Sequence, residues 1–173
     1  AGSGALWSCA EPELRAFIDK TGIPLFLNNA ALAMPFAASG TFGLGSMGAG
    51  RPSLQAIAEA DLILLLGTRV NYVLGFGQPP FLSAEQTIVQ IDIESEEIDS
   101  NRRIDLGIVG DLKTTLQAFN SLELKTRPMD RWQARLQDKV AKFEEELRAL
   151  ARRPGIPMHP LRLVIDLEAA RGD

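Results

Sequence analysis

Apolar positions along the chain follow two periods. Leu62-Ile-Leu-Leu-Leu66 (between Asp61 and Gly67), Thr87-Ile-Val-Gln-Ile-Asp-Ile93 and Leu106-Gly-Ile-Val-Gly110 are short and almost unbroken. Runs of that length without alternation predict strands covered on both faces, as in parallel α/β sheets. Ile23-Pro-Leu-Phe-Leu27 predicts one more strand. Between the strands the period is helical. Leu14, Phe17, Ile18 and Thr21 share a face after Ser8-Cys-Ala-Glu11, which has capping-box spacing, and Gly22 is placed as a C-cap. Leu54, Ile57 and Ala58 predict a short inward-facing helix over 52–60, and Leu112, Leu116 and Phe119 predict one that Asp111 caps. Trp132, Leu136, Val140, Phe143, Leu147 and Leu150 trace one stripe over 130–153, and Leu161, Val164, Ile165 and Leu167 follow His159-Pro160. Alternating strands and helices predict right-handed crossovers, hence an α/β fold with a doubly wound, mainly parallel sheet of Rossmann-like topology.

The strand ends carry the candidate chemistry. The three apolar runs finish in Gly67, in Asp92 and in Gly110-Asp111. Open parallel sheets bind ligands beyond their carboxyl ends, which places Gly67, Arg69, Asp92 and Asp111 there. A guanidinium fork at Arg69 matches a phosphate or carboxylate, or forms a surface ion pair. A carboxylate ending a strand, as Asp92 does, can hold the two hydroxyls of a ribose. Asp111 can cap a helix and still face a ligand. Gly2-Ser3-Gly4 reads as a turn that touches phosphate or ribose, or as a plain terminus. Asn28 to Gly50 reads as loop, with Asn28-Asn29 at a strand end; its glycine-rich part, Gly43 to Gly50, either wraps a ligand or lies on the surface. Glu94, Glu96, Glu97 and Asp99 read as a solvated turn.

Composition narrows the classes. At 173 residues, 46% hydrophobic and 23% charged, the chain can bury a core. A net charge of −4 argues against a nucleic-acid partner, which needs a basic surface. One cysteine, Cys9, excludes a disulfide framework and a cysteine zinc cluster, and fits a cytoplasmic setting. No apolar run reaches the about 18 residues of a membrane span. The single histidine, His159, has no metal-binding or nucleophilic partner in sequence and reads as a cap. Neither a catalytic set nor a metal site is expected. Asp138 with Lys142 and Glu144 with Arg148 are acid-before-base pairs on a solvated helix. Both ends read as cut, so a fragment of a larger polypeptide is expected.

Gly67-Thr-Arg-Val-Asn-Tyr72, then Ile91-Asp-Ile-Glu-Ser-Glu-Glu-Ile98, then Val109-Gly-Asp-Leu112 resemble, in that order, the central domain of thiamine-diphosphate-dependent enzymes. Acetolactate synthase, oxalyl-CoA decarboxylase, 2-hydroxyacyl-CoA lyase and benzaldehyde lyase belong to that group. The resemblance implies a central nucleotide-binding-like domain over 1–124, a linker with a long amphipathic helix over 125–158, and the start of a diphosphate-binding domain from His159. It implies a parent that cleaves or forms C–C bonds of 2-keto acids or 2-hydroxyacyl-CoA. In such a parent, thiamine diphosphate and Mg2+ sit in flanking domains outside this chain, which by itself would be inactive, and the assembly is a homodimer or homotetramer. The central domain would hold ADP or FAD in a non-redox role. Carried over by position, Gly2, Ser3 and Gly4 would lie under the diphosphate. Gly67, Arg69 and Asn71 would line the phosphate or adenine. Asp92 would take the ribose, with Ile93 beside the base, and Asp111 and Leu112 would close the adenine end. Ser3 stands where the ADP-binding branch leads one to expect lysine. The Gly-x-Arg-x-Asn-aromatic run looks more like the acyl-CoA branch than acetolactate synthase. Two other readings stay open: a module of the electron-transfer-flavoprotein kind with a redox-active flavin, and a structural domain with a vestigial pocket.

Overall fold

The computed structural model describes residues 1–35, 43–46, 51–126, 128–155 and 157–171. Helices α1 (Ser3–Trp7) and α2 (Glu11–Thr21) precede strand β1 (Leu25–Leu27), a 3-10 turn (Asn29–Ala33) and β2 (Gly43–Ser46). Helix α3 (Arg51–Glu59), β3 (Leu62–Leu66), a 3-10 stretch (Tyr72–Gly77), β4 (Thr87–Asp92), a further 3-10 turn (Ser95–Glu97), β5 (Leu106–Val109) and α4 (Leu112–Ser121) follow. Helices α5 (Asp130–Ala151) and α6 (Pro160–Arg171) complete the described elements.

Every strand pair is parallel. β1 pairs with β2, and β3, β4 and β5 form a second ladder in that order, with Leu62 opposite Thr87 and Val89 opposite Leu106. Successive side chains of β3 enter different cores. Leu66 joins Ile91 under Leu14, Phe17 and Ile18 of α2 and Leu112 and Leu116 of α4. Leu65 joins Ile88, Ile57 of α3, and Val70, Leu74 and Leu82 of the connections. A strand buried on both faces has no polar side to show, which is why its sequence runs apolar without a break. At the edge this reading overstates the cover: Leu106 and Val109 of β5 are 53% and 57% exposed.

Four local expectations are corrected. The turn at Gly2-Ser3-Gly4 is the start of α1, with Gly2 as its extended N-cap. Ser8 does not cap α2: its hydroxyl donates to the Gly4 carbonyl at 2.7 Å, closing α1 one element earlier, and Ala10 stands at the α2 N-cap with no side-chain bond. The span read as loop contains β2, whose Gly-Leu-Gly-Ser sequence carries no strand signal; it is ordered by backbone pairing of Leu25 with Gly43 and of Leu27 with Ser46. On α3, Ala56 and Ile57 are buried while Ala58 is exposed, and the side chain of Leu54 lies outside the described residues. The rest of the Gly43–Gly50 stretch, beyond β2, also lies outside them.

Other local readings hold. Gly22 takes φ +68° and donates to the Ile18 carbonyl at 2.7 Å, closing α2. His159 Nδ1 accepts from the Leu161 amide at 3.2 Å at the entry to α6. Asp138–Lys142 and Glu144–Arg148 close at 2.7 and 3.5 Å. The α5 stripe buries only Leu136 fully within its length up to the terminal Ala151. The helix is instead pinned to α3 through Glu59, whose carboxylate receives Trp132 Nε1 at 3.0 Å, Arg135 at 3.0 Å and Lys139 at 2.6 Å. The Lys139 hydrogen bond comes first among the causes that hold the Glu59 carboxyl below its ordinary range.

Candidate functional site

The carboxyl ends of β3, β4 and β5 are tied to each other and to α1 by backbone bonds. Gly67 N donates to Ile91 O, Gly110 N to Asp92 O, Gly2 N to Leu66 O and Gly4 N to Gly67 O, each at 2.9 Å. The approach of α1 to the β3 exit is close enough that only glycine fits. A Cβ on Gly4 would stand 2.7 Å from the Cα of Gly67, and one on Gly67 (φ +57°) 2.8 Å from the Cα of Gly4. The two chain segments therefore meet backbone to backbone, and a cavity opens above them.

That cavity, of about 580 Å³, brings together nine of the ten residues singled out in the sequence: Ser3, Gly4, Gly67, Arg69, Asn71, Asp92, Ile93, Asp111 and Leu112. Gly2 lies outside its lining, packed against Thr68, where a Cβ would meet the threonine Cβ at 2.4 Å. Ser3 sits at the first turn of α1 and its Oγ is 3.4 Å from the Ala30 amide. Arg69 reaches the cavity while its Nε lies 3.1 Å from Glu97 Oε1, so the ion pair and the ligand-facing position coexist. Asn71 accepts from the Val73 amide at 3.0 Å and so caps the 3-10 stretch. Asp92 Oδ1 accepts from the Glu94 amide at 3.1 Å. Ile93 is 66% exposed, an apolar side chain held at the rim. Asn28 is buried and donates to Thr68 Oγ1 at 3.2 Å, while its neighbour Asn29 lines the cavity.

Asp111 caps α4. Its Oδ1 accepts from the Thr114 amide at 2.8 Å and from Thr114 Oγ1 at 3.0 Å. These bonds, the amide first, keep its carboxyl below the ordinary carboxylate range. A depressed carboxyl contributes its stability in full above the ordinary range and loses it as pH falls through its own pKa. Asp111→Ala is expected to lower stability by about 1 kcal/mol, whereas Asp111→Asn, which still accepts, should lose a few tenths. Urea midpoints of the two variants at neutral pH check this; equal losses would remove the capping role.

Sequence reasoning missed Trp7. Its indole is 75% exposed and lines the cavity four residues after Ser3. Had α1 been recognised, the i, i+4 spacing would have put Ser3 and Trp7 on one face. Glu94 was taken for part of a solvated run and lines the cavity as well. Among the described residues the lining carries three carboxylates, Asp92, Glu94 and Asp111, against the single guanidinium of Arg69. Such a surface favours hydroxyl and amine donors over a polyanion. Among the described residues no three histidine, cysteine, aspartate or glutamate side chains come together to hold a metal ion, and no helix is long and apolar enough to cross a membrane.

The family model for the central domain of thiamine pyrophosphate enzymes matches residues 1–119. Mouse 2-hydroxyacyl-CoA lyase 1 is 29% identical over 162 residues, 91% of this chain and 27% of the relative. Oxalyl-CoA decarboxylase of Escherichia coli K12 is 35% identical over 118 residues, 68% of this chain and 20% of the relative. Acetolactate synthase of Mycobacterium bovis is 30% identical over 116 residues, 66% of this chain and 19% of the relative. The chain therefore spans between a fifth and somewhat over a quarter of the curated relatives it matches. With the family model covering most of its length and the doubly wound strand ends in place, the chain belongs to the thiamine pyrophosphate enzyme central-domain family.

Proposed function

We propose that this domain serves a larger thiamine-diphosphate-dependent lyase, decarboxylase or synthase as scaffold and as an adenine-nucleotide site. The parent would act on 2-keto acids or 2-hydroxyacyl-CoA, in the cytoplasm, as a homodimer or homotetramer, with thiamine diphosphate and Mg2+ held by its other domains. The family membership and the three kinds of relative support the class. When bound, the thiazolium would stabilise the carbanion left after C–C cleavage. No residue of this chain is assigned a part in that step.

The observation that carries the nucleotide reading is Asp92. Its carboxylate ends a parallel strand, lines the cavity between three strand ends, and keeps Oδ1 oriented by the Glu94 amide. That is the geometry in which a carboxylate accepts from the two hydroxyls of a ribose. The donor set fits an adenosine moiety of ADP or FAD. Trp7 and Ile93 offer flat and apolar surface to a base, and Arg69 offers charge to a phosphate. The acidic remainder limits how much further phosphate adds to affinity.

Equilibrium titration with adenosine, ADP, FAD and CoA tests the reading. Binding is expected for adenosine, ADP and FAD, whose adenosine ribose keeps both hydroxyls, and weaker binding for CoA, whose 3′ hydroxyl is phosphorylated. Asp92→Asn should weaken it about tenfold, the value of one charge-assisted hydrogen bond to a hydroxyl. No measurable affinity for any of the four, with the fold intact, would leave a structural domain with a vestigial pocket. A bound flavin that is reversibly reduced would favour the electron-transfer-flavoprotein kind of module.

A further inference from the structure

Arg69 is the one cation among the described residues that line the cavity, and it is already paired. Its Nε lies 3.1 Å from Glu97 Oε1. The two partners are held very differently. The Arg69 side chain is 60% exposed on a long stem, whereas that of Glu97 is 25% exposed and sits on a braced turn. The Glu97 carbonyl accepts from Gln90 Nε2 at 3.0 Å, and Gln90 is fully buried on β4. The Glu97 amide donates to the Glu94 carbonyl at 3.1 Å, closing the 3-10 turn. The next residue, Ile98, packs on β5, its Cγ2 2.4 Å from where a Cβ on Gly107 would stand. Glu97 is therefore a fixed negative charge, and Arg69 is the partner free to move.

Glu97 itself does not line the cavity, so it acts on a ligand only through Arg69. A phosphate that seeks the guanidinium has two routes. Arg69 can keep Glu97 at Nε and offer its two Nη groups, in which case the carboxylate stays close enough to repel the phosphate. Alternatively Arg69 swings free, and the ion pair is lost. An exposed pair of this kind changes an equilibrium by up to about fivefold. Both routes weaken the hold on phosphate, and neither affects a ribose or a base.

Given an adenine-nucleotide site in the cavity, on which this inference rests, we propose that Glu97 sets how much negative charge that site accepts. It withholds part of the Arg69 charge from a ligand phosphate, and so directs the site toward adenosine ligands that carry little phosphate charge. The three carboxylates of the lining act in the same direction, but Glu97 is the one paired with the cation.

The test is calorimetric titration of the chain with adenosine and with ADP at low ionic strength, where exposed charges are least screened. Glu97→Gln removes the charge and keeps the shape. It is expected to tighten ADP binding about three- to fivefold and to leave adenosine binding unchanged. Glu97→Asp, whose shorter stem draws the carboxylate back from Arg69, should give a smaller gain and serves if the first variant folds poorly. In an Arg69→Gln background the gain from Glu97→Gln should vanish. An equal gain with and without Arg69 would reduce the effect to overall charge and overturn the proposal. A loss of ADP affinity in Glu97→Gln would make Glu97 an orienting partner of Arg69 and overturn it as well. Adenosine binding with an unchanged ratio of ADP to adenosine affinity would sink the role of Glu97 alone; no adenosine binding to the unsubstituted chain would sink the nucleotide site and this role together.

Discussion

Gly67→Ala is expected to cost about 3–5 kcal/mol, a large part of the stability of an ordinary domain. Two effects add. At φ +57° an L side chain enters the left-handed region, worth about 1–2 kcal/mol. The new Cβ would also lie 2.8 Å from Gly4 Cα, 2.9 Å from Gly4 C and 3.0 Å from Ala5 N. All three are backbone atoms, so no side chain can swing aside; α1 must lift from the end of β3. Lifting it strains the Gly4 N to Gly67 O and Gly2 N to Leu66 O bonds and parts the floor of the cavity. Gly110→Ala is the matched control. It also directly follows a strand, yet its Cβ would meet only Thr115 Oγ1 at 3.5 Å, an ordinary contact. Its cost should stay under about 1 kcal/mol. Urea denaturation of the two variants separates them, and equal midpoints would show that the α1–β3 approach is not needed for folding.

A chain made to begin at Ala1 should grow more stable as pH rises from about 5 to 8. Desolvation lowers the α-ammonium of Ala1 from 8.0 to about 5 in the folded state, where it donates to Phe26 O. Between those values the unfolded chain holds a proton that the folded chain has released, so the slope of stability with pH is positive. Above about 8 neither state is protonated and there is no penalty; below about 5 both are, and the penalty is complete. Its upper bound is about 4 kcal/mol, reduced because Ala1 as a residue keeps part of its surface in solvent. Nα-acetylation replaces the ammonium by an amide that can still donate to Phe26 O and cannot titrate. Thermal midpoints of the free and acetylated chains at the two ends of the window should diverge at pH 5 and agree at pH 8. The same pH slope in both forms would clear the Ala1 amine of the effect.

Much of the site was legible because parallel α/β sheets place their ligands by topology. Once Asp61–Gly67, Thr87–Ile93 and Leu106–Gly110 read as strands, their ends had to converge, and Gly67, Arg69, Asp92 and Asp111, chosen on that ground, share one cavity with Ser3, Gly4, Asn71, Ile93 and Leu112, which the glycine turn and the family resemblance added. The failures have local causes. Ser8 and Glu11 had the spacing of a capping box, but Ser8 closes the five-residue helix α1, where the Gly4 carbonyl accepts both its amide and its hydroxyl. β2 has one apolar residue in four and exists because β1 offers it a backbone edge. Trp7 was invisible as a lining residue because the short helix that aims it was read as a turn.

By itself, the sequence determined the period of each element and therefore the fold class, since burial on two faces leaves an unbroken apolar run that no other arrangement explains as well. It also determined the chemistry available at the strand ends, because Gly67, Arg69, Asp92 and Asp111 terminate those runs whatever packs around them. Only the tertiary structure decided which distant groups are already engaged: Arg69 with Glu97, and Glu59 with three side chains of α5. It alone decided that Ala1 and Gly2 bridge two ladders, since a hydrogen bond between residues far apart in the chain depends on where the backbone is brought, which no local period encodes.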